Sequence, residues 1–166
     1  MDALPNPTAA VNPSPESLAR LAGQPDNDAI IMVNLLRFQP DGGREAYRTY
    51  GAVASKTVAA RGGSVAYTAP VVADASSQMR SPGSELPDAG PWDGAGPWDG
   101  ARSWDTVTLV RYPRRAAYLD MQTDPAYLGA IPDRTRGLAA RLLHPFHPTG
   151  GDPDDPFTIL TSTSEE

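Results

Sequence analysis

The chain has 166 residues, 14 of them basic and 20 acidic, and its formal net charge is -6. This length fits one domain with tails, and the acidic balance opposes nucleic acid and anionic membranes as partners, because both attract clustered Lys and Arg. The chain has no cysteine, which excludes disulfides, thiolate nucleophiles and Cys-ligated zinc.

Two stretches of the sequence bear on where the protein resides. Residues 1–10 lack the basic stretch and apolar run of a signal peptide. Residues 29–33, the longest apolar run, are too few to span a bilayer. We therefore expect a cytoplasmic protein with no membrane partner.

Hydrophobic periodicity and breaker residues predict an N-terminal helix followed by strand, helix, strand, strand, helix and strand. We expect residues 1–13 to be a disordered tail and residues 14–162 to form one domain. The predicted helices cover residues 14–23, 44–60, 114–122 and 124–142, and the predicted strands cover residues 29–38, 64–73, 103–112 and 157–161. This order predicts an α+β fold, a ferredoxin-like split βαβ sheet with helices on one face.

Residues 75–103 differ in kind from the rest of the chain. The hexapeptide GPWDGA occurs twice in tandem, at residues 90–95 and 96–101. Gly and Pro on each side of Trp92 and Trp98 oppose regular structure, so we predict an exposed loop insertion. Its tryptophans, together with Trp104, either cover a ligand cavity, form an interaction surface or pack onto the domain.

The first predicted strand, residues 29–38, is apolar on both faces although helices are expected on only one. A second copy of the sheet, packed face to face, would cover the other side. We therefore predict a homodimer of the dimeric α/β-barrel kind, with a ligand cavity between the two sheets.

Short motifs are spread along these predicted elements. They are M-V-N-L-L-R-F at residues 32–38, Tyr47, Tyr50, Gly62, Gly63, Trp104, Asp105, Arg111, Tyr112, Pro113, Asp124, Pro125, Tyr127 and Arg134. Together they resemble the domain-of-unknown-function family thirteen-thirty of the dimeric α/β-barrel superfamily, from about residue 30 to residue 142. That superfamily includes cofactor-free monooxygenases, polyketide cyclases, dehydratases, haem-degrading enzymes and simple binders. The resemblance thus implies a small-molecule site and leaves the reaction open.

Two polar residues in predicted central strands are candidate catalytic groups. Asn34 lies in an apolar strand, where its amide either makes a structural hydrogen bond or faces a ligand. Arg111 shares a strand face with Val107 and Leu109, and it either pairs with an acidic side chain or binds a ligand carboxylate or phenolate. In the functional interpretation both side chains stabilise an enolate-type oxyanion.

Proton transfer would fall to a tyrosine, Asp133 or His144. Many relatives in the resembling family place a His just before the helix Arg, where this chain has Asp133, so a role for that His does not carry over. His144 and His147 are each followed by proline, and two histidines alone are a poor metal site, so we expect no metal. The alternatives to a role in proton transfer are that His144 is an exposed loop residue and that Asp133 forms a solvent-exposed salt bridge.

Several further side chains are candidate substrate-binding groups. They are Tyr47, Tyr50, Tyr67, Trp104 and Arg134. The alternative for most tyrosines is core packing with a satisfied hydroxyl, and Arg134 has the alternative of a surface ion pair.

The sequence has neither a G-x-G-x-x-G motif nor a phosphate loop, so we expect no nucleotide cofactor. The leading hypothesis is a cofactor-free enzyme of the cyclase, dehydratase, isomerase or monooxygenase type, acting on a hydrophobic oxygenated molecule in secondary metabolism. A non-catalytic binder or sensor and a protein-interaction module that uses the Trp-rich loop are the alternatives.

Overall fold

The computed structural model describes residues 11–70 and 104–148. Its elements are α1 (Pro15–Ala22), β1 (Ile30–Phe38), α2 (Gly43–Ala59), β2 (Ser64–Pro70), β3 (Thr106–Tyr112), α3 (Arg115–Met121), α4 (Pro125–Gly137) and β4 (Leu138–Phe146). The chain order confirms the predicted α+β, ferredoxin-like fold.

The four strands form one sheet in the order β2-β3-β1-β4, and the three neighbouring pairs are antiparallel. The apolar β1 is central, as its composition predicts. Asn34 of β1 lies opposite Thr108 of β3 and Leu143 of β4. Side chains of directly opposed residues share a face, so the side chain of Asn34 lies on the same face as those of Thr108 and Leu143.

The helices cover the face of the sheet that carries the even-numbered residues of β1. Ile30, Met32 and Leu36 are buried there, alternating with less buried neighbours. Each helix contributes side chains to the core around Ile30 and Met32. That core contains Ile30, Met32, Tyr50, Val58, Tyr112, Ala117, Tyr118, Met121, Tyr127 and Ala130, with Leu18 and Leu21 of α1 packed against it.

The odd-numbered residues of β1 point to the opposite face, which we call the open face. Ile31, Val33 and Leu35 lie there beside their partners on β3 and β4, and all three are half-buried. On the two edge strands, β2 and β4, Tyr67 is 41% exposed and Phe146 is 51% exposed. The open face thus carries an apolar stripe along β1 and, among the described residues, has no covering helix.

The predicted course of the chain after Asp124 was wrong in one respect. Helix α4 ends at Gly137 and β4 follows immediately, whereas the sequence predicts helix through residue 142 and a last strand at residues 157–161. The predicted strand lies outside the described residues. The junction between α4 and β4 lies close to α2: a Cβ on Gly137 would lie 2.8 Å from the backbone nitrogen of Tyr47 and 2.9 Å from the carbonyl oxygen of Gly43.

The predicted disordered tail is wrong for residues 11–13. Val11 is buried against Leu36 and Leu138, and Asn12 contacts Arg134. The GPWDGA repeat, Trp92 and Trp98 lie outside the described residues. No helix within residues 11–70 and 104–148 is both long and apolar enough to cross a membrane.

Candidate functional site

Two adjoining cavities lie on the helix side of the sheet. The inner cavity, of about 200 Å³, lies between the sheet, α2 and the start of α4. The outer cavity, of about 350 Å³, lies beneath residues 11–14 and α1. Met32, Tyr118, Arg141 and Leu143 line both cavities. Arg141 is the one charged side chain among these shared residues, so it can act on a ligand in either space.

Arg134 is the most deeply buried charged residue near the inner cavity, with 2% of its surface exposed. Its Nη1 donates to the hydroxyl of Tyr127 at 2.5 Å and to that of Tyr50 at 3.2 Å. Its Nη2 donates to Oδ1 of Asn12. The guanidinium carbon also lies 5.2 Å and 5.5 Å from the ring centres of Tyr50 and Tyr127, within cation–π range.

Arg141 is held by Asn34, which the sequence singled out as a polar residue in an apolar strand. Nε and Nη2 of Arg141 both donate to Oδ1 of Asn34, at 3.1 Å and 2.8 Å. The amide nitrogen of Asn34 donates to the carbonyl oxygens of Met32 and Thr108, at 3.1 Å and 3.3 Å. This network fixes the Asn34 side chain, which aims its oxygen, and therefore the guanidinium, at the cavities.

Neither arginine has a carboxylate within 4 Å among the residues that the structure describes. Their acceptors are two phenols, two amide side chains and the carbonyl oxygen of Val11, which Nη1 of Arg141 reaches at 3.2 Å. Neutral acceptors satisfy hydrogen bonds but leave the charges uncompensated. The site therefore favours an anion, or a group that becomes anionic.

The tyrosines of this cluster respond differently to the two charges. Burial acts to raise the pKa of Tyr127, but the guanidiniums of Arg134 and Arg141 outweigh it, so that the pKa lies below the ordinary value of 10. Burial raises the pKa of Tyr47 and of Tyr50, and it raises the pKa of Tyr118 to about 12. Tyr127 is thus the phenol of this group that most readily gives up its proton.

The structure brings together four of the residues that the sequence nominated. Asn34, Tyr47 and Tyr50 line the inner cavity, and Arg134 lies directly behind Tyr50. Asn34 is 5% exposed. Its amide nitrogen makes structural hydrogen bonds, and its amide oxygen holds Arg141, which lines the cavity.

Three nominated residues lie on the open face instead. Arg111 is opposite Ile31, Tyr67 is opposite Leu109, and His144 is opposite Val33. Because adjacent residues of a strand point to opposite faces, the expectation that Arg111 and Asn34 meet in one pocket is wrong. His144 is exposed, and its Nδ1 lies 2.8 Å from the carbonyl oxygen of Pro145.

Asp133 and Trp104 line neither of the two cavities. Asp133 accepts from Nη2 of Arg136 at 2.6 Å. This ion pair matches the alternative in which Asp133 has no role in proton transfer. Trp104 is half-buried and lies immediately before Asp105, whose carboxylate accepts from the backbone nitrogen of Phe38.

Sequence reasoning missed Arg141, and it named Tyr127 only as a motif residue and not as a candidate for the site, although both line the inner cavity. The sequence predicts Arg141 in the continuation of α4, because Leu138 and Leu142 fit a helical spacing. The signal that could have found it is Gly137, a residue type that commonly ends helices. A strand begins at residue 138 instead, and β4 pairs Arg141 with Leu36 on the helix side of the sheet.

Two solved structures have folds similar to this one. The crystal structure of methylated RPA0582 protein is 24% identical, with a TM-score of 0.66, and the match covers 86% of this chain and 97% of that chain. The crystal structure of RPA0582, a protein of unknown function from Rhodopseudomonas palustris, is 26% identical, with a TM-score of 0.62, over 85% of this chain and 98% of that chain. No family model and no curated protein matches the chain. The comparisons therefore support the fold.

Proposed function

We propose that this protein is a cofactor-free enzyme that removes a proton next to a carbonyl group of a small, hydrophobic, oxygenated molecule held in the inner cavity. Isomerases, cyclases and dehydratases share this step. The observation that carries the proposal is the contact of Arg134 with Tyr127, a phenol that lines the cavity and whose pKa is lowered. A proton acceptor works best when its pKa lies near the working pH.

The reaction step uses Tyr127 and Arg141, which both line the inner cavity. The Tyr127 phenolate takes the proton as the carbon–hydrogen bond breaks, and the electron pair moves to the carbonyl oxygen to give an enolate. Arg141, fixed by Asn34, stabilises the new negative charge. Tyr127 then returns the proton to the same carbon or to a neighbouring one, so that no oxidant or reductant is needed.

The lining of the inner cavity supports a hydrophobic substrate. Met32, Ala54, Val58 and Val110 supply apolar surface, and Thr68 and Thr108 lie at one side. The volume of about 200 Å³ is below the usual range of about 300–1,000 Å³ for drug-sized ligands. A substrate of one ring with a short oxygenated side chain fits this space best.

The experiment is hydrogen–deuterium exchange of benzoylacetone (1-phenylbutane-1,3-dione) in D₂O, followed by proton NMR. Its central CH₂ lies between two carbonyl groups and exchanges through the enolate. The proposal predicts exchange by the protein above the buffer rate. Saturable binding of benzoylacetone with no accelerated exchange would contradict the enzyme and favour the non-catalytic binder.

We also propose that the chain forms a homodimer through its open face, as in the dimeric α/β-barrel superfamily and its domain-of-unknown-function family thirteen-thirty. The support is the apolar stripe of Ile31, Val33 and Leu35, which needs a cover. Val33→Asp should turn a dimer into a monomer in sedimentation at micromolar concentration, whereas Leu128→Asp, at a 50% exposed position on α4, should not. A wild-type monomer at micromolar concentration would contradict this proposal.

A further inference from the structure

A row of polar side chains crosses the sheet side of the inner cavity. Thr68 of β2 lies directly opposite Thr108 of β3, which in turn lies directly opposite Asn34 of β1. All three residues line the inner cavity, and Oδ1 of Asn34 holds the guanidinium of Arg141 at 2.8 Å. Neighbouring strands are about 4.8 Å apart, so the row extends about 10 Å from Asn34 to Thr68. The cavity therefore has a cationic end at Arg141 and a hydroxyl end at the two threonines.

The hydroxyls of Thr68 and Thr108 form a hydrogen-bonded pair. Their oxygen atoms lie 3.0 Å apart, and either hydroxyl can be the donor. Each hydroxyl has one hydrogen to donate and two lone pairs that accept. The bond between them uses one of the two hydrogens, which leaves the second hydrogen for an acceptor outside the pair. Thr68 is exposed and Thr108 is half-buried, so an acceptor on a ligand in the cavity can reach the pair.

Apolar surface adjoins the threonine pair in the lining of the inner cavity. Val65 of β2 and Val110 of β3 lie directly opposite each other on the same side of the sheet, and Ala54 of α2 lines the same cavity. A Cβ on Gly51 of α2 would meet nothing within 4 Å, so the helix leaves space open at this position. The lining thus fits an apolar ring and offers an oxygen on that ring a hydrogen bond at the threonine pair.

We propose that the ring of the substrate carries a second oxygen, a hydroxyl or an ether at the end away from the reacting carbonyl, and that Thr68 and Thr108 bind it. The inference rests on the proposed function and names the substrate class of the same site. With the reacting carbonyl at Arg141, a single ring between the two oxygens, with a hydrogen bond at each end, matches the length of the polar row. The threonine pair is uncharged, so its ligand leaves the positive charge of Arg141 to the enolate and that of Arg134 to the Tyr127 phenolate.

The test is calorimetric binding of 1-(4-methoxyphenyl)butane-1,3-dione and 1-(4-ethylphenyl)butane-1,3-dione to the full chain. The two compounds have the same number of heavy atoms, and a CH₂ of the second replaces the ether oxygen of the first. The wild type should bind the methoxy compound about fivefold more tightly, as expected for one hydrogen bond. In the double variant Thr68→Val/Thr108→Val this difference should disappear. Valine keeps the branch at Cβ that suits a strand, and removing both hydroxyls leaves neither without its partner.

Thr106→Val is the matched control. Thr106 lies two residues before Thr108 on β3 and lines neither cavity, so this variant should keep the wild-type difference between the two compounds. If the threonine pair only links β2 to β3, the double variant should melt at a lower temperature and still distinguish the compounds, which would overturn the proposal.

Equal affinity of the wild type for the two compounds would also overturn the proposal, as would an absence of binding of both. If the double variant fails to fold, nuclear Overhauser contacts in the wild type decide the question. Contacts between the methoxy protons and the methyl groups of Thr68 and Thr108 support the proposal, and their absence from the bound complex refutes it. Binding is measured at equilibrium and needs no turnover, and benzoylacetone has no oxygen on its ring, so the exchange of benzoylacetone tests the enzyme proposal separately.

Discussion

Nη1 of Arg134 lies 2.5 Å from the hydroxyl oxygen of Tyr127, in a site where the arginine is 2% exposed. A guanidinium cannot lose its proton at any ordinary pH, so this contact acts on the tyrosine alone. It stabilises the phenolate relative to the phenol. Most of the predictions below follow from the charge of Arg134 and its neighbour Arg141.

The first prediction concerns the titration of Tyr127. Because its pKa lies below 10, the absorbance of tyrosinate at 295 nm should contain a component that rises below pH 10 and is lost in Tyr127→Phe. In Arg134→Met, burial is no longer opposed by this guanidinium, and the Tyr127 component should shift to higher pH. Arg136→Met, which removes an exposed arginine from the same helix, should leave it in place. An unchanged titration in Arg134→Met would contradict the assignment.

The same pKa shift predicts a dependence of stability on pH. The folded-state pKa of Tyr127 is lower than the unfolded value, so its contribution is fully present above pH 10 and is lost as the pH falls through the folded-state pKa. The difference in unfolding free energy between the wild type and Tyr127→Phe should therefore increase from pH 8 to pH 10 in urea titrations.

Tyr118 is the control, because its pKa is shifted in the opposite direction and its contribution to stability should change with pH in the opposite sense. Burial raises its pKa to about 12, so its contribution is present below pH 10 and is lost as the pH rises from 10 to 12. The difference between the wild type and Tyr118→Phe should accordingly fall over that range. Parallel trends for the two variants would show that the environments of the two phenols do not differ as described.

A third prediction tests the contact between α2 and α4. In Gly137→Ala the added Cβ would meet the backbone of Tyr47 at 2.8 Å and Gly43 at 2.9 Å, which should cost about 1–3 kcal/mol of unfolding free energy. A Cβ on Gly129 of the same helix would meet nothing within 4 Å, so Gly129→Ala should stabilise by about 0.5–1 kcal/mol. Denaturation of the two variants by urea measures both. Equal effects would mean that the helices do not approach so closely.

Much of this fold follows from local patterns, and the exception has a physical cause. Residues 138–142 consist of Leu, Ala and Arg, which are good helix formers, and the spacing of Leu138 and Leu142 fits a helix turn. The segment is a strand because β1 offers it an unpaired edge, and this tertiary effect outweighs propensity. Arg141 could not be placed in the site without that knowledge.

The candidate site was predictable in part for a similar reason. Asn34 stands out in the sequence because a polar group in an apolar strand needs partners, and Arg134 is one of the residues that carry the family resemblance. The sequence could not predict whether Asn34 and Arg111 lie on the same face of the sheet. No short hairpin joins β1 to β3, so their register is not fixed by a turn. One residue of register decides which face Arg111 occupies.

A fourth prediction tests which face of the sheet carries the active site. Arg141→Met should lower the exchange rate of benzoylacetone by about 10²-fold, because the enolate loses its positive partner. Arg111→Met should leave that rate unchanged, because Arg111 lies opposite Ile31 on the open face. Loss of exchange in Arg111→Met alone would place the site on the open face.

The most direct test of the central claim is the exchange rate of benzoylacetone in Tyr127→Phe compared with the wild type. Phenylalanine keeps the ring in the core and removes the oxygen that accepts the proton. Our account predicts that the wild type accelerates exchange above buffer and that Tyr127→Phe loses at least about 10²-fold of this rate while still folded. Equal rates in the two proteins would show that Tyr127 does not accept the proton.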